Sequence, residues 1–255
     1  MLDLIGLEPN DFFAMQIPMS NECRTHLSPA HVAAMGENAW FASLDRSLRE
    51  ELLDAAELVH VRRGVMVYRQ GDPVPDSGPG FFGLASGFVK ASTLRPDGRE
   101  AVLLVAGPGN WFGELGLIDG SARMHDATAL CELELLAVSS EFFAAQMNKI
   151  SFAQAIANLL ASRVRSAYRM VEDTTLRSLR CRVARRLLAL AHGDMIQSPT
   201  LPTIITLPQE TLAMMLGITR QTLSRELNAL AKEGMIALSY GRIQLLSFDA
   251  LEKVE

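Results

Sequence analysis

Cysteine is scarce in this chain of 255 residues: Cys23, Cys131 and Cys181 are the whole supply. Three thiols this far apart exclude a disulfide framework and a zinc knuckle, and they fit a reducing, cytoplasmic compartment. No apolar run approaches the roughly 18 residues that a membrane span requires; residues 101–107 are among the longest, so no membrane partner is expected. A basic start is missing too. Asp3, Glu8 and Asp11 precede the first cation, Arg24, which argues against a secretory leader. Histidine is thin: His26, His31, His60, His125 and His192 share no ligand spacing on an evident helix. A barrel enzyme built on a metal needs several histidines converging inside it, and residues 59–138 hold only His60 and His125. The chain is therefore expected to be no enzyme and to hold no metal. An iron–sulfur cluster wants four cysteine ligands, more than the chain contains.

What is present is an ordinary globular balance, 49% hydrophobic and 21% charged, enough for one large or two modest domains. The net charge of −5 hides an asymmetry. Residues 175–255 carry 10 Lys and Arg against 7 Asp and Glu, whereas the other 174 residues carry 14 against 22. Residues 162–186 alone hold eight arginines and two acids. An acidic front on a basic back indicates two domains, the second being the candidate for a polyanion partner. A solvated, arginine-rich helix face is the plainer alternative, and charge alone does not choose between them.

Residues 1–36 show no sustained period and read as a loosely structured extension. Trp40, Phe41, Leu44, Leu48 and Leu52 then recur at helical spacing, which predicts a helix over 38–57. From residue 59 to 138 the texture changes. Apolar stretches at 65–69, 81–89, 101–105 and 128–138 alternate with turn signals such as Gly71-Asp72, Gly78-Pro79-Gly80, Pro96-Asp97-Gly98 and Gly107-Pro108-Gly109. That pattern predicts a small all-β barrel or sandwich. In the last stretch Cys131, Leu133, Leu135 and Ala137 form the expected core side, with Leu130, Glu132, Glu134 and Leu136 opposite. Residues 151–174 contain no glycine or proline, and Ala153, Ala157, Leu160, Val164, Ala167 and Val171 follow 4-3-4-3-4 spacing. That is a coiled-coil seam. A helix packed on its own domain would look similar, but so long a seam suits a partner subunit. A further helix over 178–191 should end at His192-Gly193.

The C-terminal motif is the sharpest signal. Thr206-Leu207-Pro208-Gln209 is expected to open a helix with Thr206 as its cap. Gly217-Ile218-Thr219 makes a tight turn, and Thr219 caps a second helix to about residue 232. Leu223, Leu227 and Leu230 face inward, leaving Arg220, Gln221, Ser224, Arg225 and Asn228 outside. Arginine can grip guanine O6 and N7 in a fork and glutamine can read adenine, so this face suits a major groove. Residues 235–238 and 243–246, around the turn Ser239-Tyr240-Gly241-Arg242, predict a β-hairpin wing. Arg180, Arg182, Arg185 and Arg186 are weaker candidates, for backbone phosphates.

A second candidate site lies at Gly113-Glu114-Leu115-Gly116. Small residues open a short helical turn there, whose free N–H groups can face an anion. Arg123 can neutralise a phosphate and Glu114 can accept from a sugar hydroxyl; alternatively the two simply pair with each other.

These marks, with Tyr68-Arg69-Gln70-Gly71-Asp72, Asp97-Gly98-Arg99-Glu100, Pro108-Gly109-Asn110-Trp111-Phe112-Gly113-Glu114 and Ile218-Thr219-Arg220-Gln221-Thr222-Leu223-Ser224-Arg225, resemble the Crp/Fnr family of bacterial transcription regulators. The resemblance covers about residues 37–250. It implies an α+β chain: an N-terminal extension (1–36), a β-roll sensor domain of double-stranded β-helix or jelly-roll type, cyclic-nucleotide-binding-like (37–148), a dimerisation helix (149–175), and a C-terminal winged helix-turn-helix (176–255). It implies a cytoplasmic homodimer that binds palindromic promoters in double-stranded DNA, with RNA polymerase as a further partner. In that reading Ala157, Leu160, Val164, Ala167 and Val171 form the dimer interface. Gly113, Glu114, Leu115, Gly116, Arg123 and Met124 would line the effector pocket. The alternative is a cyclic-nucleotide-binding regulatory protein whose main role is sensing.

Two departures bear on the effector. Members that respond to cyclic AMP follow the phosphate-binding Arg with Ser or Thr, where this chain has Met124. They also present a Thr-Ser pair from the dimer helix, aligned here with Met170-Val171-Glu172-Asp173, and Glu172 would repel an anion. Cyclic AMP, another effector and no small ligand all remain open.

Overall fold

The computed structural model describes residues 27–191 and 204–255. Its first helix, α1 (Pro29–Gly36), lies in the stretch expected to be loosely structured. Ser28 and His31 form a reciprocal capping box, Pro29 starts the helix, and Met35 is fully buried. An eight-residue helix gains its stability from packing rather than from a repeating stripe, so the pattern gives no sign of it. The expected helix over 38–57 is two pieces, α2 (Ala39–Ala42) and α3 (Arg46–Asp54). Asn38 caps the first by accepting from the Phe41 amide at 3.1 Å. The apolar period runs straight across the break, because Trp40, Phe41, Leu44, Leu48 and Leu52 are all buried in one cluster.

Eight strands follow: β1 (Glu57–Val61), β2 (Met66–Tyr68), β3 (Pro79–Ser86), β4 (Val89–Leu94), β5 (Glu100–Ala106), β6 (Trp111–Phe112), β7 (Asp126–Ala129) and β8 (Leu133–Ser139), with helix α4 (Glu114–Asp119) between β6 and β7. They form two antiparallel sheets in the orders β1-β8-β3-β6 and β2-β7-β4-β5, so the expected all-β unit is a two-sheet roll. Two expected strands are each divided. The run 81–89 breaks at Gly87, whose φ is 85°; a Cβ there would stand 2.5 Å from the Glu132 carbonyl. The run 128–138 turns a corner at 130–132 and changes sheet. Leu133, Leu135 and Ala137 enter the roll interior with Phe82, Leu84 and Val89, as the alternation requires. Leu136 and Val138, on the other face, are buried too, beneath the helices with Phe81, Trp111 and Phe152.

Helix α5 (Ser140–Met147) leads into α6 (Ile150–Leu176), whose 27 residues span about 40 Å. Phe152, Ala155, Ile156 and Leu159 pack inward, and the Trp40 indole donates to the Ala155 carbonyl at 2.7 Å. Helix α7 (Leu179–Ala191) is capped by Ser178, which accepts from the Cys181 amide; its expected end at His192-Gly193 lies outside the described residues. Then come β9 (Ile204–Ile205), α8 (Gln209–Leu216), α9 (Arg220–Lys232), β10 (Ile236–Ser239), β11 (Arg242–Leu245) and α10 (Phe248–Glu252). The wing is a three-stranded sheet, β10-β11-β9, one strand more than the hairpin expected. Thr206 does not cap α8. The cap position is Pro208, because Leu207 is drawn into the core and the helix starts only after it.

Candidate nucleic-acid interface and β-roll pocket

The turn between α8 and α9 is built as the sequence predicts. Gly217 adopts φ 66°, and the Ile218 amide donates to the Ala213 carbonyl at 3.1 Å, a left-handed helix end that suits glycine. Thr219 caps α9 by accepting from the Thr222 amide at 3.2 Å. Leu223, Leu227 and Leu230 are wholly buried, which turns Arg220, Gln221, Arg225 and Asn228 outward. Ser224 is half-buried on the same side. Gln209, Thr219, Arg220, Gln221 and Ser224 line an open cleft of about 610 Å³. Within the face the residues differ in freedom. Arg225 keeps 75% of its side chain exposed, with Glu226 3.5 Å away. Asn228 instead donates to the Ser224 carbonyl of its own helix at 2.8 Å. Arg220, Gln221 and Arg225 are thus polar side chains of this face that point into solvent.

The preceding helix serves the fold more than expected. Arg180 pairs with Glu233, Arg182 donates to the Leu216 carbonyl at the end of α8, and Arg185 lies 2.7 Å from Asp173 of α6.

In the β-roll, Gly113 has φ 100°, and a Cβ on it would meet the Gly80 carbonyl at 2.5 Å. Glycine is therefore required where β6 turns into α4. That turn places Glu114 at zero exposure. Arg123 comes back to the same place, as the sequence suggests, but it does not pair with Glu114. Its guanidinium donates to the carbonyls of Gly113 at 2.7 Å and Gly80 at 3.0 Å, and it lies 4.4 Å over the Tyr68 ring, a cation–π contact. Glu114 is met instead by Arg163 of α6, which also donates to the Trp111 carbonyl. Leu115 and Met124 point outward, at 38% and 58% exposure, while Gly116 packs tightly against Ser121 and Val74. The six candidate pocket residues are thus not one lining.

Burial governs the acidities here. It pushes the Tyr68 hydroxyl up to about 12, against the pull of Arg123 and Arg163. Arg163 is pushed down to about 10, still protonated at neutral pH. Burial first, then Arg123, lowers His125, whose Nε2 stands 3.3 Å from the Tyr68 hydroxyl.

Sequence reasoning missed Arg163 and looked to Glu172. Glu172 pairs with Arg177 on the far part of α6. The signal was the inward stripe itself: Phe152, Ile156 and Leu159 continue at the same spacing to Arg163. The outward stripe is left bare in one chain. Ala157, Val164, Ala167 and Val171 are exposed, Val164 at 51% and Val171 at 63%; Leu160 is half-buried.

Among the described residues no helix is long and apolar enough to cross a membrane, and no group of metal-ligating side chains is present. Residues 58–149 match the cyclic nucleotide-binding domain family, and residues 181–254 match the Crp-like helix-turn-helix domain. The cyclic AMP receptor protein of Thermus thermophilus is 33% identical over 83% of this chain and 95% of its own. A CRP-family transcriptional regulator of the same organism has a solved structure with TM-score 0.60 and 28% identity, covering 76% of this chain and 94% of that one. FixK2 from Bradyrhizobium japonicum shares the fold, with TM-score 0.67 at 20% identity over 77% of this chain and 95% of that one.

Proposed function

This chain belongs to the Crp/Fnr family of bacterial transcription regulators, and from that premise we propose that it binds palindromic promoter DNA as a homodimer in the cytoplasm. The division of labour we propose is sensing by 37–148, dimerisation by 149–175 and DNA reading by 176–255. The observation that carries this is α9: three buried leucines on one side, and Arg220, Gln221 and Arg225 exposed on the other. A bare apolar stripe on α6 supports the dimer, because an exposed row of this length gains by pairing with its copy. Two reading helices then address half-sites about one DNA turn, or 34 Å, apart. RNA polymerase is the partner whose access such a dimer would control.

Arg225 sits on the second exposed turn and is assigned to a guanine. Gln221 suits adenine, where family members that read T-G-T-G-A half-sites carry Glu, an acceptor for cytosine N4. Selection from a random DNA pool tests this with wild type, Arg225→Ala and Gln221→Glu. Arg225→Ala should cost about 1–3 kcal/mol per half-site and relax one position; Gln221→Glu should shift one position towards C·G. Identical motifs from all three proteins would remove the reading.

The β-roll is proposed as the receiver of the signal. Its residues do not fit a cyclic nucleotide as they stand. Arg123 is engaged with Gly80 and Gly113, one oxygen of Glu114 is engaged with Arg163, and Met124 offers no hydroxyl. Regulation is therefore assigned to the contacts of the roll with α6, not to cyclic AMP.

A further inference from the structure

Helix α8 is buried on more than one side. Thr211, Leu212, Ala213, Met215 and Leu216 are all buried. At 3.6 residues per turn these positions cover more than half of the circumference, whereas a helix resting on one neighbour buries a single stripe. Its neighbours are α7, whose Arg182 reaches the Leu216 carbonyl, α9, and β5 of the β-roll. Val102 and Val105 are 4% exposed each, and they share an apolar cluster with Leu212, Ala213, Leu223 and Leu227. The cluster that fills the roll interior contains neither of them.

A regular strand could not present both valines to one helix, because residues three apart point to opposite faces. The register shows how β5 does it. Leu104 lies opposite Ala91 and Val102 opposite Ser92, so one extra residue, Leu103, bulges between them. A bulge re-aims the side chains beyond it, which restores Val102 and Val105 to the same side. β5 is also the edge of its sheet, and α8 covers it. Meanwhile the reading face of α9 stays open: Arg220, Gln221 and Arg225 are exposed.

We propose that Val102 and Val105 are positioning residues for DNA recognition: by seating α8 on the bulged edge strand they fix the orientation of α9, and with it the spacing of the two reading helices. This rests on the reading of the chain as a dimer that engages two half-sites. A fixed spacing makes the second contact effectively intramolecular, and its benefit disappears when the geometry no longer allows both at once.

Full-length wild type, Val102→Ser/Val105→Ser and Val102→Ile/Val105→Ile are titrated by fluorescence anisotropy. The probes are labelled duplexes carrying one or two copies of the half-site that wild type selects. The serine variant should bind the two-site duplex at least about tenfold more weakly and the one-site duplex within about twofold of wild type. Its α8 amides should exchange hydrogen faster, and the isoleucine variant should restore two-site binding. If the serine variant does not fold, Val105→Thr replaces it, nearly isosteric and read at unchanged melting temperature, and it should show the same one-site against two-site split. Two-site binding equal to wild type, or equal weakening on both duplexes, overturns the positioning role. Wild type that gains nothing from a second half-site fails differently: it removes the two-site reading itself.

Discussion

Arg163→Met leaves the Glu114 carboxylate without its cation. Glu114 has no exposed surface, and its Oε2 already lacks a hydrogen-bond partner among the described residues. Removing one member of a buried pair costs roughly 3–5 kcal/mol, since the remaining charge must stay desolvated or take up a proton. Arg163 keeps 20% of its side chain in water, which screens part of the pair, so the lower end of that range applies, about 3 kcal/mol. For a chain of this size each kcal/mol moves the melting temperature by about 2–4 °C, so the expected fall is about 6–12 °C. Adding Glu114→Gln removes the charge that methionine cannot balance. The double variant should therefore recover most of the loss, a coupling of about 2 kcal/mol. Urea denaturation of wild type, both single variants and the double variant at pH 7 closes the cycle. Should Arg163→Met melt within about 2 °C of wild type, or the double variant prove no more stable than it, the pair does not tie α6 to the β-roll and the assignment of Arg163 is wrong.

Three further outcomes are expected. Leu160→Asp with Val164→Asp puts charges into the bare stripe of α6 and should give a monomer; light scattering that still reports a dimer would end the seam assignment. Cyclic AMP or cyclic GMP at millimolar concentration should not raise the melting temperature, because Arg123 and Glu114 are already engaged within the chain; a saturable rise would show that the ligand displaces those contacts. His125 is held below its ordinary value of 6.5 by burial and then by Arg123. The unfolded chain then binds the proton more readily, so this residue's contribution is present above pH 6.5 and is lost as the pH falls below it. His125→Gln should flatten the decline in melting temperature on acidification below pH 6.5; an unchanged slope would place the cause elsewhere.

The helix-turn-helix was legible because each of its signals is local. A left-handed glycine, a threonine cap and leucines at helical spacing lie within a few turns of one another, so the sequence carries the geometry directly. The β-roll was legible in class but not in detail. Alternation of side chains along a strand cannot report that the chain turns a corner, so residues 128–138 read as one strand although β7 and β8 lie in different sheets. Nor can it report that helices cover the outer face, which is why Leu136 reads as outward and is nevertheless buried. The pocket was the hardest part. Glu114 and Arg163 are 49 residues apart, and nothing near either one names the other. Only the inward stripe of α6, read past its last apolar member, would have led from Leu159 to Arg163.

Two of the contacts that leave the β-roll start from one stretch of chain. β5 and β6 are each an edge strand, one in either sheet, and they follow each other in sequence. β5 carries Val102 and Val105 to α8; β6 runs through Gly113 into α4, where Glu114 meets Arg163 of α6. The turn between them is pinned to the middle of β3. The Gly109 amide donates to the Leu84 carbonyl at 2.7 Å, and the Leu84 amide donates to the Asn110 carbonyl at 2.8 Å. A displacement of residues 100–119 therefore reaches α6 and α8 together. The two contacts nevertheless differ in kind. The seat of α8 is apolar and non-directional, and it weakens on cooling and in urea. The Arg163–Glu114 pair is directional, and burial shields it from salt. Helix α6 also packs on the roll through Phe152, Ile156 and Leu159, so Arg163→Met should remove only the directional contact, while the apolar contacts of α6 and α8 persist and weaken together on cooling.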